Sequence, residues 1–483
     1  LVILWGGSME KVNFKEWEGF KPGKWMEEIN VSDFIKLNYE PYDGDANFLV
    51  GPTDATKRLW ADISHLIAEE KRQGGVLGVD PRPSFINAYG AGYINQNLEQ
   101  IVGLQTERPL IRAFMPRGGI KMAVQASEQY GFKVDPTAVE TYSKHTVTHN
   151  QAVFDCYTKE MMNARHCHIL TGLPDTYARG RVIGDYRRVA LYGVDYLIQE
   201  KQEQQAKIDG EMTDEKIRTR YEISQQIKAL NQLKEMAQKY GCDVSKPAAT
   251  AKEAIQWTYF GYLAAVKEQN GAAMSIGRNS TFFDIYIQRD MKKGTISESQ
   301  AQEMIDHFVM KLRIIKFARI ASYNEIFGGD PVWATETIGG MTKEGKSLVT
   351  KTSYRILHTL KNMGPAPEPN LTVLWSKGLP ENFKKFCASY SILFSSIQYE
   401  SDELMRPIHG DDYAIACCVS PMAVGKETQA FGARANLAKA LLYAINNGRD
   451  ELHQSYKMGP ELGELDHNKP LNYDEVWERY KKV

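Results

Sequence analysis

DDYAIACCVSP, residues 411–421, sets Cys417 directly beside Cys418 at the end of a short apolar run. Successive Cα atoms lie about 3.8 Å apart across a trans peptide. An unstrained disulfide wants roughly 4.4–6.8 Å and suitably directed Cβ vectors. The pair therefore reads as reduced thiols, a strained redox switch, a metal hook or a chemical relay. The run is bounded by Asp411-Asp412 and Ser420-Pro421, as a buried strand end would be.

Outward from this run, short buried strands alternate with helices. LTVLW (371–375) is a β-branched run after the chain-breaking PAPEPN (365–370), and it predicts a strand. ANLAKALLYAINNG (435–448) predicts a helix stopped by Asn-Gly. Residues 298–318 predict another, opened by a capping box at Ser297 and Gln300 and striped by Met304, Ile305, Phe308, Leu312 and Ile315. Residues 196–241, rich in Gln, Glu and Lys, predict helices with a wide solvated face. One starts at Thr213-Asp214, ends at Gly241 and carries Ile217, Tyr221, Ile227 and Leu230 near helical spacing. PRGGIK (116–121) marks a turn before an apolar-patterned stretch. The alternation predicts an α/β architecture.

Composition narrows the setting. The chain has 483 residues, 43% of them hydrophobic, enough for a sizeable core. Its 59 basic and 60 acidic residues give no global attraction to nucleic acid or an anionic membrane. Six cysteines in this length do not form a secreted disulfide framework, so a reducing, cytoplasmic location is expected. No apolar run approaches the roughly 20 residues of a membrane span. Met9 is the more natural start, and residues 1–8 are expected to lie upstream of it.

Several chemistries fail on spacing. VGKE (424–427) has Ser420 where a phosphate loop needs glycine, and Glu427 where it needs Ser or Thr. His166-Cys167-His168 makes a poor chelator, because neighbouring side chains diverge on a helix or strand; no metal site is expected. For the thiol pair, a metal hook would normally use C-x-x-C. Ionic catalysis would need a nearby His or cation; His409 is eight positions upstream, and nothing in the sequence shows that they meet. Two small buried hydrophobes remain the plain reading. One-electron chemistry is the alternative: a thiyl radical needs no base, only a dry, closed pocket. Arginines supply a second clue. Arg179, Arg181, Arg187 and Arg188 cluster around Gly-marked turns, and Arg434 follows Cys418 near a helix start. Arginine forms paired hydrogen bonds with carboxylates, but spacing alone does not say which of these does so.

These residues sit in longer familiar blocks: TGLPDTYARGRVIGDYRRVALYG (171–193), EAIQWTYFGYLAAVKEQNGAAMSIGR (253–278), GGDPVWATETIGGM (328–341) and GARANLAKALLYAIN (432–446). Together with the Cys-Cys pair they closely resemble the pyruvate formate-lyases, the formate C-acetyltransferase branch of the glycyl radical enzyme family. The resemblance runs in order from about Trp17 to LNYDEVWER (471–479). It implies reversible, anaerobic conversion of pyruvate and coenzyme A to acetyl-CoA and formate, as in fermentative glucose metabolism. It implies a glycyl radical, installed by a radical-SAM activating enzyme, and no permanently bound cofactor. Coenzyme A enters as co-substrate.

By the same resemblance, Cys418 relays hydrogen atoms and Cys417 is the thiyl that adds to pyruvate and carries the acetyl group. Arg181 and Arg434 match the carboxylate clamp; Ala272, Phe327, Trp333 and Phe431 match the residues packed around the substrate. The family fold is a ten-stranded β/α barrel of two five-stranded halves, with the cysteines on a finger loop between them. The radical glycine of the family lies in a motif like RVSGYA, which this sequence does not contain. Residues 9–483 are thus expected to form the first half-barrel and the finger, inactive alone, with the glycine domain absent or on a partner chain. The complete family member is expected to be a homodimer. A 2-oxobutyrate formate-lyase and a non-catalytic binding or assembly fragment are the alternatives. A half-barrel would leave strand edges and apolar faces uncovered.

Overall fold

The computed structural model describes residues 14–118, 120–145, 157–171, 181–268, 274–319, 332–429, 434–453, 456–466 and 468–483. Ala272, Phe327, Phe431, Arg179 and residues 1–8 lie outside them. The strands are β1 (Val79–Pro83), β2 (Arg112–Phe114), β3 (Leu170–Thr171), β4 (Arg181–Val182), β5 (Thr335–Gly339), β6 (Asn370–Trp375), β7 (Ile397–Ser401), β8 (Tyr413–Ala416), β9 (Ser420–Ala423), β10 (Thr428–Gln429) and β11 (Arg434–Ala435). Among the described residues no helix is long and apolar enough to cross a membrane. The chain divides into two compact units, Leu1–Tyr142 with Val182–Thr428, and Ser143–Arg181 with Gln429–Val483.

The first unit is α/β. β5, β6 and β7 form a parallel sheet in that order. Helices Lys351–Met363 and Glu381–Phe394 make the two crossovers that parallel pairing demands. Every residue of β5 is buried, so both faces of the strand are covered. Alongside β5 runs the segment 274–277: Met274 N–H donates to the Val332 carbonyl at 2.9 Å, and Gly277 bridges Glu336 in parallel. β1 and β2 form a separate parallel pair. Among the described residues β1–β2 and β5–β6–β7 are two separate parallel sheets.

β7 is the outer strand of its sheet among the described residues. Close to it in sequence, Ile392, Leu393, Leu404 and Ile408 are exposed, Ile392 to 84%.

Helix positions follow the sequence signals closely, with two differences. The capping box at Ser297 and Gln300 opens a helix that ends at Arg313, short of 318. Its apolar stripe is buried, but so are Asp306, His307, Lys311 and Arg313, because helices Asp54–Arg72, Ala251–Glu268 and Lys351–Met363 all pack on it. Lys311 is neutralised there by the equally buried Glu99. In helix Asp214–Lys239 the residues in the core are Ile223, Leu233, Met236 and Ala237; Ile217 and Tyr221 face solvent. Their spacing was helical, but that end of the helix lies beyond the core.

The second unit pairs β11 antiparallel with β3 and adds helices Lys159–His166, Leu437–Ile445 and Tyr473–Lys482. Asn436 caps the second of these by accepting from Lys439 N–H at 3.1 Å. It stops before Asn447 and Gly448, both at positive φ, as the Asn-Gly signal indicated. Cys167, at the end of the first helix, is buried. Burial raises its thiol pKa, and it lies near Asp450 and Tyr443.

Candidate functional site

The quoted stretch folds as an antiparallel hairpin. Tyr413 pairs with Ala423 and Ala416 with Ser420, which leaves Cys417, Cys418 and Val419 as the turn. Pro421 fits in β9 because that strand pairs with β8 alone among the described residues. Side chains from β8 and β9 fill a small core: Ala414, Ala416, Met422 and Val424 pack with Ile183 on one face, and Tyr413 and Ile415 with Leu374 on the other.

At the turn both thiols are reduced, with the two Sγ atoms 3.3 Å apart. Cys417 is 7% exposed, whereas Cys418 faces outward. Cys417 has a φ of 59°, a left-handed conformation that costs a non-glycine residue about 1–2 kcal/mol. The surroundings hold it there. Its N–H donates to Ser275 Oγ at 3.1 Å. Its carbonyl accepts from Thr335 Oγ1 at 2.7 Å and from Asn370 Nδ2 at 3.2 Å. The Cys418 carbonyl accepts from Gln398 Nε2. One rung below, Ile415 N–H donates to Thr337 Oγ1 at 3.0 Å. Each of β5, β6 and β7 thus sends a neutral polar side chain to the cysteine turn.

Trp333 belongs to the same neighbourhood. It too is left-handed, at φ 49°. The N–H groups on either side of it, from Val332 and Ala334, both donate to Glu368 Oε1 at 3.0 Å. Thr335 N–H donates to the Trp333 carbonyl at 2.9 Å while its hydroxyl holds Cys417. One threonine therefore couples the predicted substrate-wall tryptophan to the predicted acetyl carrier.

The base of the hairpin is anchored by charge. Arg187, fully buried, meets Asp185 at 2.7 Å and Asp412 at 2.7 Å, and donates to the Arg278 carbonyl at 3.1 Å. Burial works against the Asp412 charge, yet Arg187 outweighs it and holds that carboxyl below its ordinary range. Tyr413 donates to buried Asp402 at 2.8 Å, and Arg278 donates to the Asp411 carbonyl at 3.0 Å. Between base and tip, Glu336 is buried on β5. Burial pushes its carboxyl up to about 7, although Asn279 donates to it through its N–H at 2.8 Å and its Nδ2 at 2.7 Å.

Of the predicted residues, the structure brings together Cys417, Cys418 and Trp333. Arg181 opens β4 and Arg434 opens β11, where it pairs with Thr171. Both belong to the second unit, and only their backbone places are described. Of the other arginines weighed, Arg187 is a structural anchor, and Arg188 lies 3.6 Å from Asp185. Ser275, Thr335, Asn370 and Gln398 were missed. Ser275 and Thr335 lay inside quoted blocks, and Asn370 closed a stretch read only as a chain break. A cavity of about 710 Å³ between helices of the first unit is lined by residues such as Asp185, Arg188, Glu200 and Leu233, and none of its walls belongs to the cysteine turn.

Residues 22–483 match the Pyruvate formate lyase-like family. The chain is 55% identical over 470 residues to a formate acetyltransferase of Haemophilus influenzae, a match covering 96% of this chain and 61% of that protein. It therefore spans less than two thirds of that relative's length. Among solved structures, the glycerol-bound form of the B12-independent glycerol dehydratase from Clostridium butyricum superposes with a TM-score of 0.71 at 23% identity, covering 90% of this chain and 62% of that one. A glycyl radical enzyme from Archaeoglobus fulgidus superposes with a TM-score of 0.65 at 18% identity, over 93% and 62% of the two chains.

Proposed function

The chain belongs to the pyruvate formate lyase-like family, and from that premise we propose that it is the thiol- and carboxylate-bearing part of a formate C-acetyltransferase. The observation that carries the proposal is the pair of reduced sulfurs, 3.3 Å apart, at the tip of a buried hairpin. The likeness to solved structures supports the fold alone. The near relative and this pair support the reaction.

The glycyl radical supplies the unpaired electron. On this chain, the Cys417 thiyl adds to C2 of pyruvate, and the C1–C2 bond then breaks. The acetyl group stays on Cys417 as a thioester, and the carboxyl fragment leaves as a radical anion. A hydrogen atom from a thiol converts that fragment to formate and returns the unpaired electron to sulfur. Transfer of the acetyl group to coenzyme A restores the Cys417 thiol, with Cys418 passing hydrogen atoms. Arg181 and Arg434 would clamp the pyruvate carboxylate. Trp333, with Ala272, Phe327 and Phe431, would wall the keto acid from water and hold it in an attack-ready pose. No resident metal is required.

Residues 9–483 would then be the first half-barrel and finger, and a second half would cover β7 and its exposed neighbours. A cytoplasmic setting, a radical-SAM activating enzyme and a homodimeric assembly belong to the same reading.

The test is formate production from pyruvate and coenzyme A, measured anaerobically with the activating enzyme, SAM and a glycine-bearing segment supplied. Turnover should be abolished by Cys417→Ser and by Cys418→Ser. Undiminished turnover in either variant would refute the proposal.

A further inference from the structure

The two cysteine carbonyls are linked by a closed polar circuit. Asn370 Nδ2 donates to the Cys417 carbonyl at 3.2 Å and to Gln398 Oε1 at 2.9 Å. Gln398 Nε2 in turn donates to the Cys418 carbonyl. Two side-chain amides on neighbouring parallel strands thus bridge two consecutive backbone carbonyls. Each amide must point its nitrogen at a cysteine carbonyl, so neither can flip without breaking the circuit.

The geometry of a peptide chain gives this circuit a specific consequence. The Cys417 carbonyl fixes the peptide plane before the Cys418 Cα, and the Cys418 carbonyl fixes the plane after it. Clamping both planes fixes φ and ψ of Cys418, and hence the direction of its Cα–Cβ bond and the set of χ1 rotamers open to its sulfur. Cys417 is clamped by a different set, Ser275 on its N–H and Thr335 on its carbonyl. Ser275 therefore acts on Cys417 and Gln398 on Cys418, while Thr335 and Asn370 hold the carbonyl between them.

We propose that Gln398 is a positioning residue. Working with Asn370, it holds the backbone around Cys418 so that the two sulfurs stay in contact at 3.3 Å without closing, and keeps the two thiols in separate roles. Its bond to the pair runs to the Cys418 carbonyl, so it acts through the backbone. A vicinal disulfide would require rotation of the very peptide planes that the amides hold. The same clamp that aims Cys418 should therefore also slow its oxidation.

One readout needs no radical chemistry, so it stands apart from the functional reading above. In the purified chain, closure of the Cys417–Cys418 disulfide by diamide is followed by site-resolved mass spectrometry. Alkylation of buried Cys387, elsewhere in the same unit, monitors the integrity of the fold. Two variants are compared: Gln398→Met removes both amide bonds, and Gln398→Glu keeps an acceptor for Asn370 but loses the donor to Cys418. Because closure depends on geometry and access, both should speed it by about fivefold or more while Cys387 stays protected. Unchanged closure, or acceleration only together with loss of Cys387 protection, overturns the proposal.

The second readout rests on the formate-lyase reading. In the activated enzyme, misaiming the relay should lower kcat by about 10–100-fold and leave KM for pyruvate within about twofold. A rise in KM alone would assign Gln398 to substrate binding and overturn the positioning role. If closure responds and no turnover exists in the parent protein, the positioning role stands and the functional reading falls.

Discussion

At its base the cysteine hairpin is held by ions; at its tip it is held by neutral hydroxyls and amides. The base uses Arg187 with Asp185 and Asp412, and Tyr413 with Asp402. The tip uses Ser275, Thr335, Asn370 and Gln398. The difference has a chemical meaning. A cation placed against a thiol favours the thiolate, and a thiolate has no hydrogen atom to give. Neutral donors on the backbone hold the sulfurs without pulling protons off them. Rigidity can still be imported from charge, provided the charge sits at the far end of the strands.

The base should be the more sensitive end for stability. Arg187→Met removes the nearest counter-ion of Asp185 and Asp412 and should cost about 3–5 kcal/mol, read from urea unfolding. A loss below about 1 kcal/mol would show that the anchor carries little load. Tyr413→Phe removes one hydrogen bond to a buried carboxylate and should cost about 1.5–3 kcal/mol in the same assay.

At the tip the balance should reverse. Thr335→Val keeps the side-chain shape and removes one neutral hydrogen bond, so it should cost only about 1 kcal/mol of stability. It should nonetheless depress turnover far more than Tyr413→Phe does, because it removes one hold on the Cys417 carbonyl and with it the link to Trp333. Equal effects of the two variants on activity would erase the distinction between the ends.

Glu336, between the two ends, gives the most diagnostic effect. Its folded-state pKa is raised to about 7, so the folded protein holds an extra proton between the ordinary carboxyl range and that value. That contribution to stability is complete below about pH 4.5 and is lost as pH rises through about 7. Glu336→Gln should flatten this part of the stability–pH curve and leave the rest unchanged. A curve with its slope intact would place the titration elsewhere.

Much of this was legible in the sequence, for identifiable reasons. Ser297 and Gln300 announced a helix because a capping box is a local device. β6 and the cysteine run read as buried strands because their flanking punctuation is local too. The paired thiols stood out because adjacency itself forbids an ordinary disulfide. The cradle was not legible. Thr335, Asn370 and Gln398 are unremarkable polar residues, far from Cys417 in the chain, and only parallel strand register brings them together. Arg187 looked as good a carboxylate ligand as Arg181 until Asp185 and Asp412 were found around it. The solvent-facing end of helix Asp214–Lys239 was hidden for a similar reason: helical spacing gives a stripe, not where the core stops.

The most direct test of the division between the two sulfurs is to locate the acetyl group. The activated enzyme is acid-quenched after mixing with carbon-labelled pyruvate in the absence of coenzyme A, and the peptide spanning 411–421 is sequenced by mass spectrometry. Label on the clamped, buried Cys417, with Cys418 unmodified, is the expected result. Label on Cys418, or on neither cysteine while formate is still released, would contradict the account.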